Sequence, residues 1–260
     1  MIKILKYSFY DLIRSRWSYV YLLFYLVIGF ALLFLNNNLS KAIITLMNVV
    51  VVLVPMIGTI FGVMYYYSSR EFTELLLAQP IKRRTIFLGQ YLGIAMSLSF
   101  SLLVGLGIPF LAYGLMQSSE IWNFGLLLVV GTFLTFIFVA LAFAISLRNE
   151  NKIKGFGYGI LLWLFMAVIY DGLFLILLVT FDDYPLDKYT LVASFLNPID
   201  LSRILILLKL DISALLGYTG ALFQQYFGSG VGMVMSLGSL VLWTVIPMWM
   251  ISRRSGKKDF

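Results

Sequence analysis

Six apolar stretches, each long enough to cross a bilayer as a helix, take up most of the chain. They run from about Trp17 to Leu35, Ala42 to Tyr67, Thr85 to Met116, Trp122 to Leu147, Gly155 to Thr180 and Val231 to Ile251. A helix needs roughly 20 residues to traverse the hydrocarbon core. A soluble globule of 260 residues could not cover this much apolar surface, because hydrophobic residues are 61% of the chain and charged residues only 12%. A soluble domain carries about 25% charged residues. The expected fold is therefore an all-α polytopic membrane protein with six transmembrane helices, forming one transmembrane domain over residues 1–260.

The charges between the stretches orient them. Lys3, Lys6, Arg14 and Arg16 precede the first span, and Arg70, Lys82, Arg83 and Arg84 follow the second. Arg148, Lys152 and Lys154 follow the fourth, and Arg253, Arg254, Lys257 and Lys258 follow the sixth. The other side holds Lys41, Lys188, Arg203 and Lys209, so the bias is 15 to 4. Short loops rich in Lys and Arg stay inside, which predicts cytoplasmic N- and C-termini. The net charge of +7 then belongs to topology, and a nucleic-acid partner is excluded. The first span is expected to stay on the protein, since it is long, no small-residue cleavage site follows and five more spans do. No repeat of the inverted-carrier kind stands out.

The chain has no Cys and no His. Disulfides, thiolate and imidazole metal sites, Fe–S clusters and Cys or His catalysis are thereby excluded. Thioether sites for Cu(I) are disfavoured, because Met233/Met235 and Met248/Met250 are two apart and do not share a helix face. There is no GxxxxGK[ST] motif, so any ATP chemistry belongs to another chain. Neither catalytic residues nor a metal site are expected.

Three segments outside the spans carry pattern. On a helical wheel, Ile2, Leu5, Phe9, Leu12 and Ile13 fall within an arc of about 100°, and Lys3, Lys6, Asp11 and Arg14 lie opposite. This predicts a basic amphipathic helix over residues 1–16 lying in the membrane interface. The loop of residues 68–84, SSREFTELLLAQPIKRR, could place Glu71, Leu75 and Leu76 on one face of a short helix that Pro80 ends. Pattern alone leaves two readings: a stub inserted into a partner's groove, or a solvated tether. Residues 181–228 form a long outer segment with a net charge of −2. Asn197-Pro198 followed by Asp200 marks a helix start. The ILILLK run after it is too short to span, and a second piece is expected from Asp211 to Leu216, ending at Gly217. A docking or gating platform is expected rather than a mere cap.

Within the spans, Asp171 is the intramembrane polar candidate. It is either a proton or cation relay or a carboxyl held by Tyr or backbone, and one lone acid makes a poor pathway. Small residues recur at Gly58/Gly62, Gly89/Gly93 and Gly228/Gly232/Ser236, a spacing that favours close helix packing.

Six spans, the basic leader and the segment REFTELLLAQPIKRRTIFLGQYLG together resemble the ABC-2 type transporter permeases. The resemblance implies that the leader is a connecting helix and that Arg70–Pro80 is the coupling helix seated in an ATPase groove, with Arg70, Glu71, Glu74 and Gln79 as contacts. The stretch NPIDLSRILILLKLDISALLGYTGALF is similar to the NosY branch, which serves copper-site maturation of nitrous oxide reductase in the NosDFY system. That implies an inner-membrane homodimer with two ATPase subunits, which carry the ATP and Mg. It also implies a periplasmic NosD-like partner, met through Asn197, Asp200, Arg203 and Asp211. Lacking soft ligands, this subunit would transmit force rather than conduct copper. The alternatives are an ABC-2 exporter of a lipid, drug or peptide, and an ion-coupled carrier using Asp171.

Overall fold

The computed structural model describes residues 1–36, 38–181, 187–210 and 218–256. These residues are helical with no strand among them. In chain order the helices are α1 (Ile2–Ile13), α2 (Arg16–Leu35), α3 (Leu39–Ser68), α4 (Arg70–Leu77), α5 (Arg83–Ala112), α6 (Ile121–Arg148), α7 (Lys152–Leu164), α8 (Tyr170–Thr180), α9 (Asp187–Leu196), α10 (Pro198–Lys209) and α11 (Tyr218–Ser255). A π-turn, Phe165–Ile169, joins α7 to α8. Six helices are long and apolar enough to span, with α7–α8 acting as the fifth.

The six spans fall where the apolar runs place them, with two differences. The third ends at Ala112 rather than Met116, because Gly114 takes a left-handed turn (φ 90°) that a short 3-10 segment follows. The last helix begins at Tyr218, not near Val231. No proline or charge interrupts Tyr218–Gly230, so the helix extends through what the sequence suggests is loop. The helix expected over Asp211–Leu216 lies outside the described residues.

The centre of the bundle is α3, α5 and α6, which share one apolar core. Close approach explains two of the glycine pairs. A Cβ on Gly62 would stand 2.7 Å from the Ala142 Cβ, so Gly58/Gly62 seat α3 on α6. A Cβ on Gly93 would lie 2.7 Å from the Leu5 carbonyl, and one on Gly89 would lie 3.1 Å from Ile4. That pair admits α1 against α5.

The α1 helix docks by one edge. Ile4, Ser8 and Leu12 are buried, whereas Ile2 is exposed and Leu5, Phe9 and Ile13 are half-buried. The apolar arc is turned about a quarter-circle from the docked edge at 100° per residue, with Leu12 shared by both. Gly89 lies beside Met1, and Gly256 lies beside Arg84, so both ends of the described chain flank the start of α5.

Candidate functional site

At this terminal end, α4 is a short helix held on one side and open on the other. Thr73 and Gln90 are both buried, and the Gln90 Nε2 donates to the Thr73 Oγ1 at 2.9 Å. Phe72 stacks on Tyr7 of α1 with ring centroids 4.5 Å apart. Arg70, Glu71, Glu74, Leu75 and Gln79 are all exposed. Arg70 and Glu74 pair at 3.0 Å one turn apart, which fixes the charged face without tying it to the bundle. The helix stops at Leu77, nearly a turn before Pro80. The residue before a proline is pushed out of the α region, so the chain has already left the helix when Pro80 arrives.

A second contact joins this end to the fifth span. The Tyr67 hydroxyl, in the last turn of α3, donates to the Asn149 carbonyl at 2.8 Å, with the Asn151 carbonyl at 3.3 Å. Asn151 caps α7 through the Ile153 N–H at 2.9 Å. A Cβ on Gly155 would collide with the Tyr67 ring and hydroxyl, so the glycine keeps that crossing open. Neither Tyr67 nor Gln90 was among the residues the sequence singled out. The legible signal was the glutamine itself, a polar side chain within an apolar span.

At the opposite end, α9 and α10 meet at an elbow of 109°. Asn197 caps α10 through the Ile199 N–H at 3.1 Å, with Pro198 in the first turn, as the sequence predicts. Helix α10 then packs on α11, α6 and α3, burying Ile199, Leu201, Ile204, Leu205, Ile206, Leu207 and Leu208. A helix end leaves carbonyls without helical partners, and here the spans supply donors. Tyr170 of α8 donates to the Ala193 carbonyl at 2.6 Å, and Trp243 of α11 donates to the Phe195 carbonyl at 3.0 Å.

Asn197 also reaches the π-turn, donating from Nδ2 to the Met166 carbonyl at 2.8 Å and to Asp200 at 3.0 Å. Arg203 lies 3.0 Å from Asp171 and 3.5 Å from Asp200. Asp171, Asp200 and Arg203 line a cavity of about 160 Å³ with Phe174, Ser194 and Ile204. Asp171 is thus paired by a cation from α10, although no basic residue stands near it in its own span. Two carboxyl groups around one guanidinium form a brace between the elbow and the fifth span, and burial, with Asp171 beside it, raises the pKa of the Asp200 carboxyl to about 8. Of the residues expected to meet an outer partner, Asn197 is fully buried, and Asp200 and Arg203 stand with Asp171 around the cavity. Asp211 lies outside the described residues.

A family model described as ABC-2 family transporter protein matches residues 32–259. The chain belongs to the ABC-2 transporter family. Among the relatives of this ABC-2 protein is one named probable ABC transporter permease protein NosY, from Stutzerimonas stutzeri. It is 26% identical over 262 residues, which cover 92% of this chain and 89% of that protein. A protein of the same name from Pseudomonas aeruginosa is 25% identical over 220 residues, covering 78% of this chain and 80% of its own. The chain is an ABC-2 permease subunit of an ABC transporter, similar to NosY, and a multi-pass membrane protein.

Proposed function

We propose that this permease couples ATP hydrolysis by a separate ATPase subunit to movement of its outer segment, in the service of nitrous oxide reductase copper-site maturation. The observation that carries the reading is α4, with Arg70, Glu71, Glu74 and Gln79 exposed while Thr73 and Gln90 hold its other face. A short amphipathic helix of this kind suits a groove on a partner. The terminal end is then cytoplasmic, in agreement with the charge bias. Similarity to NosY supports the choice of pathway.

The route of force begins at α4 and passes through Tyr67 to the Asn149–Asn151 loop and α7. It continues to the π-turn, where Asn197 and Arg203 carry it to the elbow. A periplasmic NosD-like partner docks on the outer segment, with Asp211 as a contact and Asn197, Asp200 and Arg203 as the brace that moves the segment. Only 6% of the fifth span is buried. A second copy of the chain covers it, giving a homodimer with two ATPase subunits. Without His or Cys the subunit moves its partner rather than conducting copper.

The test is co-purification from membranes with the co-expressed ATPase. Glu71→Arg combined with Glu74→Arg should abolish co-purification, and its survival would refute the α4 assignment. A strain lacking the chain should carry a reductase without its copper centres. Full copper sites together with new drug sensitivity would point to an exporter instead.

A further inference from the structure

The terminal ends of α6, α7 and α11 surround a cavity of about 550 Å³ beside the Asn149–Asn151 loop. Arg148 and Arg254 stand in its wall. Arg148 is the last residue of α6, and Arg254 is the next to last of α11. Arg148 makes no ion pair among the described residues. Arg254 donates from NH1 to the Ala144 carbonyl at 3.1 Å, which occupies one of a guanidinium's five N–H donors. Tyr158 adds a hydroxyl. Asn149 adds an amide. No carboxylate lines the cavity among the described residues, and the rest of the wall is apolar, including Leu141, Ile145, Leu162 and Met250.

This pairing of two guanidinium groups with an apolar wall occurs where two spans leave the membrane. The carbonyl ends of α6 and α11 bring partial negative charge there, but two full positive charges exceed it. Arginine forks suit phosphate oxygens, and basic pockets between spans on the cytoplasmic side suit lipid headgroups. We propose that the cavity binds the phosphodiester headgroup of an anionic phospholipid, with the glycerol and first acyl carbons against Leu141, Ile145, Leu162 and Met250. Free phosphate shares the charge, but it would leave the apolar wall and most of the volume unused.

The test uses the full chain, purified from membranes and incubated with phosphatidylcholine vesicles with or without phosphatidylglycerol, and separately with inorganic phosphate. Bound lipid is read by native mass spectrometry and the thermal midpoint by fluorescence. The wild type should retain phosphatidylglycerol and be stabilised by it, but not by phosphate. Arg148→Gln with Arg254→Gln should lower retention about tenfold or more, as expected on losing charge-assisted hydrogen bonds. Arg148→Glu removes an exposed side chain and so keeps the fold. It should lower retention too, whereas Lys41→Gln, at an exposed position on the opposite side, should not. Equal retention by Arg148→Glu and wild type, or stabilisation by phosphate matching that by the lipid, would overturn the proposal.

Discussion

The Arg203 guanidinium lies 3.0 Å from the Asp171 carboxylate and ties α10 to the fifth span. The side chains are 26% and 29% exposed, so the pair is neither a surface bridge of little worth nor fully buried. Its two members are not equivalent. Asp171→Asn leaves Arg203 with Asp200 at 3.5 Å. Arg203→Ala leaves the Asp171 carboxylate and the buried Asp200 carboxyl facing one cavity without a cation. The expected loss is about 2–3 kcal/mol for Arg203→Ala and about 1 kcal/mol for Asp171→Asn, scaled down from fully buried pairs. Thermal unfolding of the solubilised protein should rank them in that order. Asp171→Asn should also retain activity, and its complete loss in a folded variant would restore the ion-carrier reading.

Asn197 gives a prediction in which two effects oppose each other. Asn197→Asp keeps an oxygen for the Ile199 N–H, and a cap is worth about 1 kcal/mol. It also removes the donor to Met166 and sets a third carboxyl group beside Asp200 and Asp171. The cost of burying another acid beside these two outweighs one cap. Asn197→Asp should therefore melt below Asn197→Ala, although aspartate is the better capping residue. The reverse order would show that the third acid costs less than the cap it keeps.

These two sites mark how far the sequence could be read. The spans were legible because lipid requires long apolar helices, and Asn197-Pro198 announced a helix start through local chemistry alone. The partner of Asp171 was not legible. Arg203 is 32 residues away, and only the fold of the elbow brings it near. The inward turn of Asn197 is not legible for the same reason, since a cap motif does not say which way the rest of the amide points. The π-turn left no composition signal in an apolar run. Glycine spacing predicted close approach at Gly58/Gly62 and Gly89/Gly93, but only the structure identifies α6 and α1 as the helices admitted.

The Thr73–Gln90 hydrogen bond separates stability from coupling. Thr73→Val strands a buried amide, at about 1–3 kcal/mol. Adding Gln90→Leu removes the stranded group, so the double variant should recover most of the lost thermal stability. Neither variant keeps the bond that fixes α4 to α5. Both should therefore remain impaired in ATPase activity stimulated by the assembled permease. Recovery of stability and activity together would mean that α4 is held mainly by the Phe72–Tyr7 stack.

Gly93 and Gly107 lie on the same helix and should respond oppositely to alanine. At Gly93 the new Cβ would meet the Leu5 carbonyl and the Ser8 Cβ, both at 2.7 Å. Backbone cannot move aside there without lifting α1 away from α5. At Gly107 nothing lies within 4 Å of the new atom. The only term left is helix propensity, which favours alanine by about 1 kcal/mol. Gly107→Ala should leave the thermal midpoint unchanged or higher, and Gly93→Ala should lower it. The effect on α1 can be followed separately, because the chain has no cysteine and a single one introduced at Ser8 reports its own exposure. Ser8 is fully buried against α5, so a thiol there should label slowly in the otherwise native protein and rapidly when Gly93→Ala is added. Unchanged labelling with a lowered midpoint would place the strain within α5 rather than at the α1 contact.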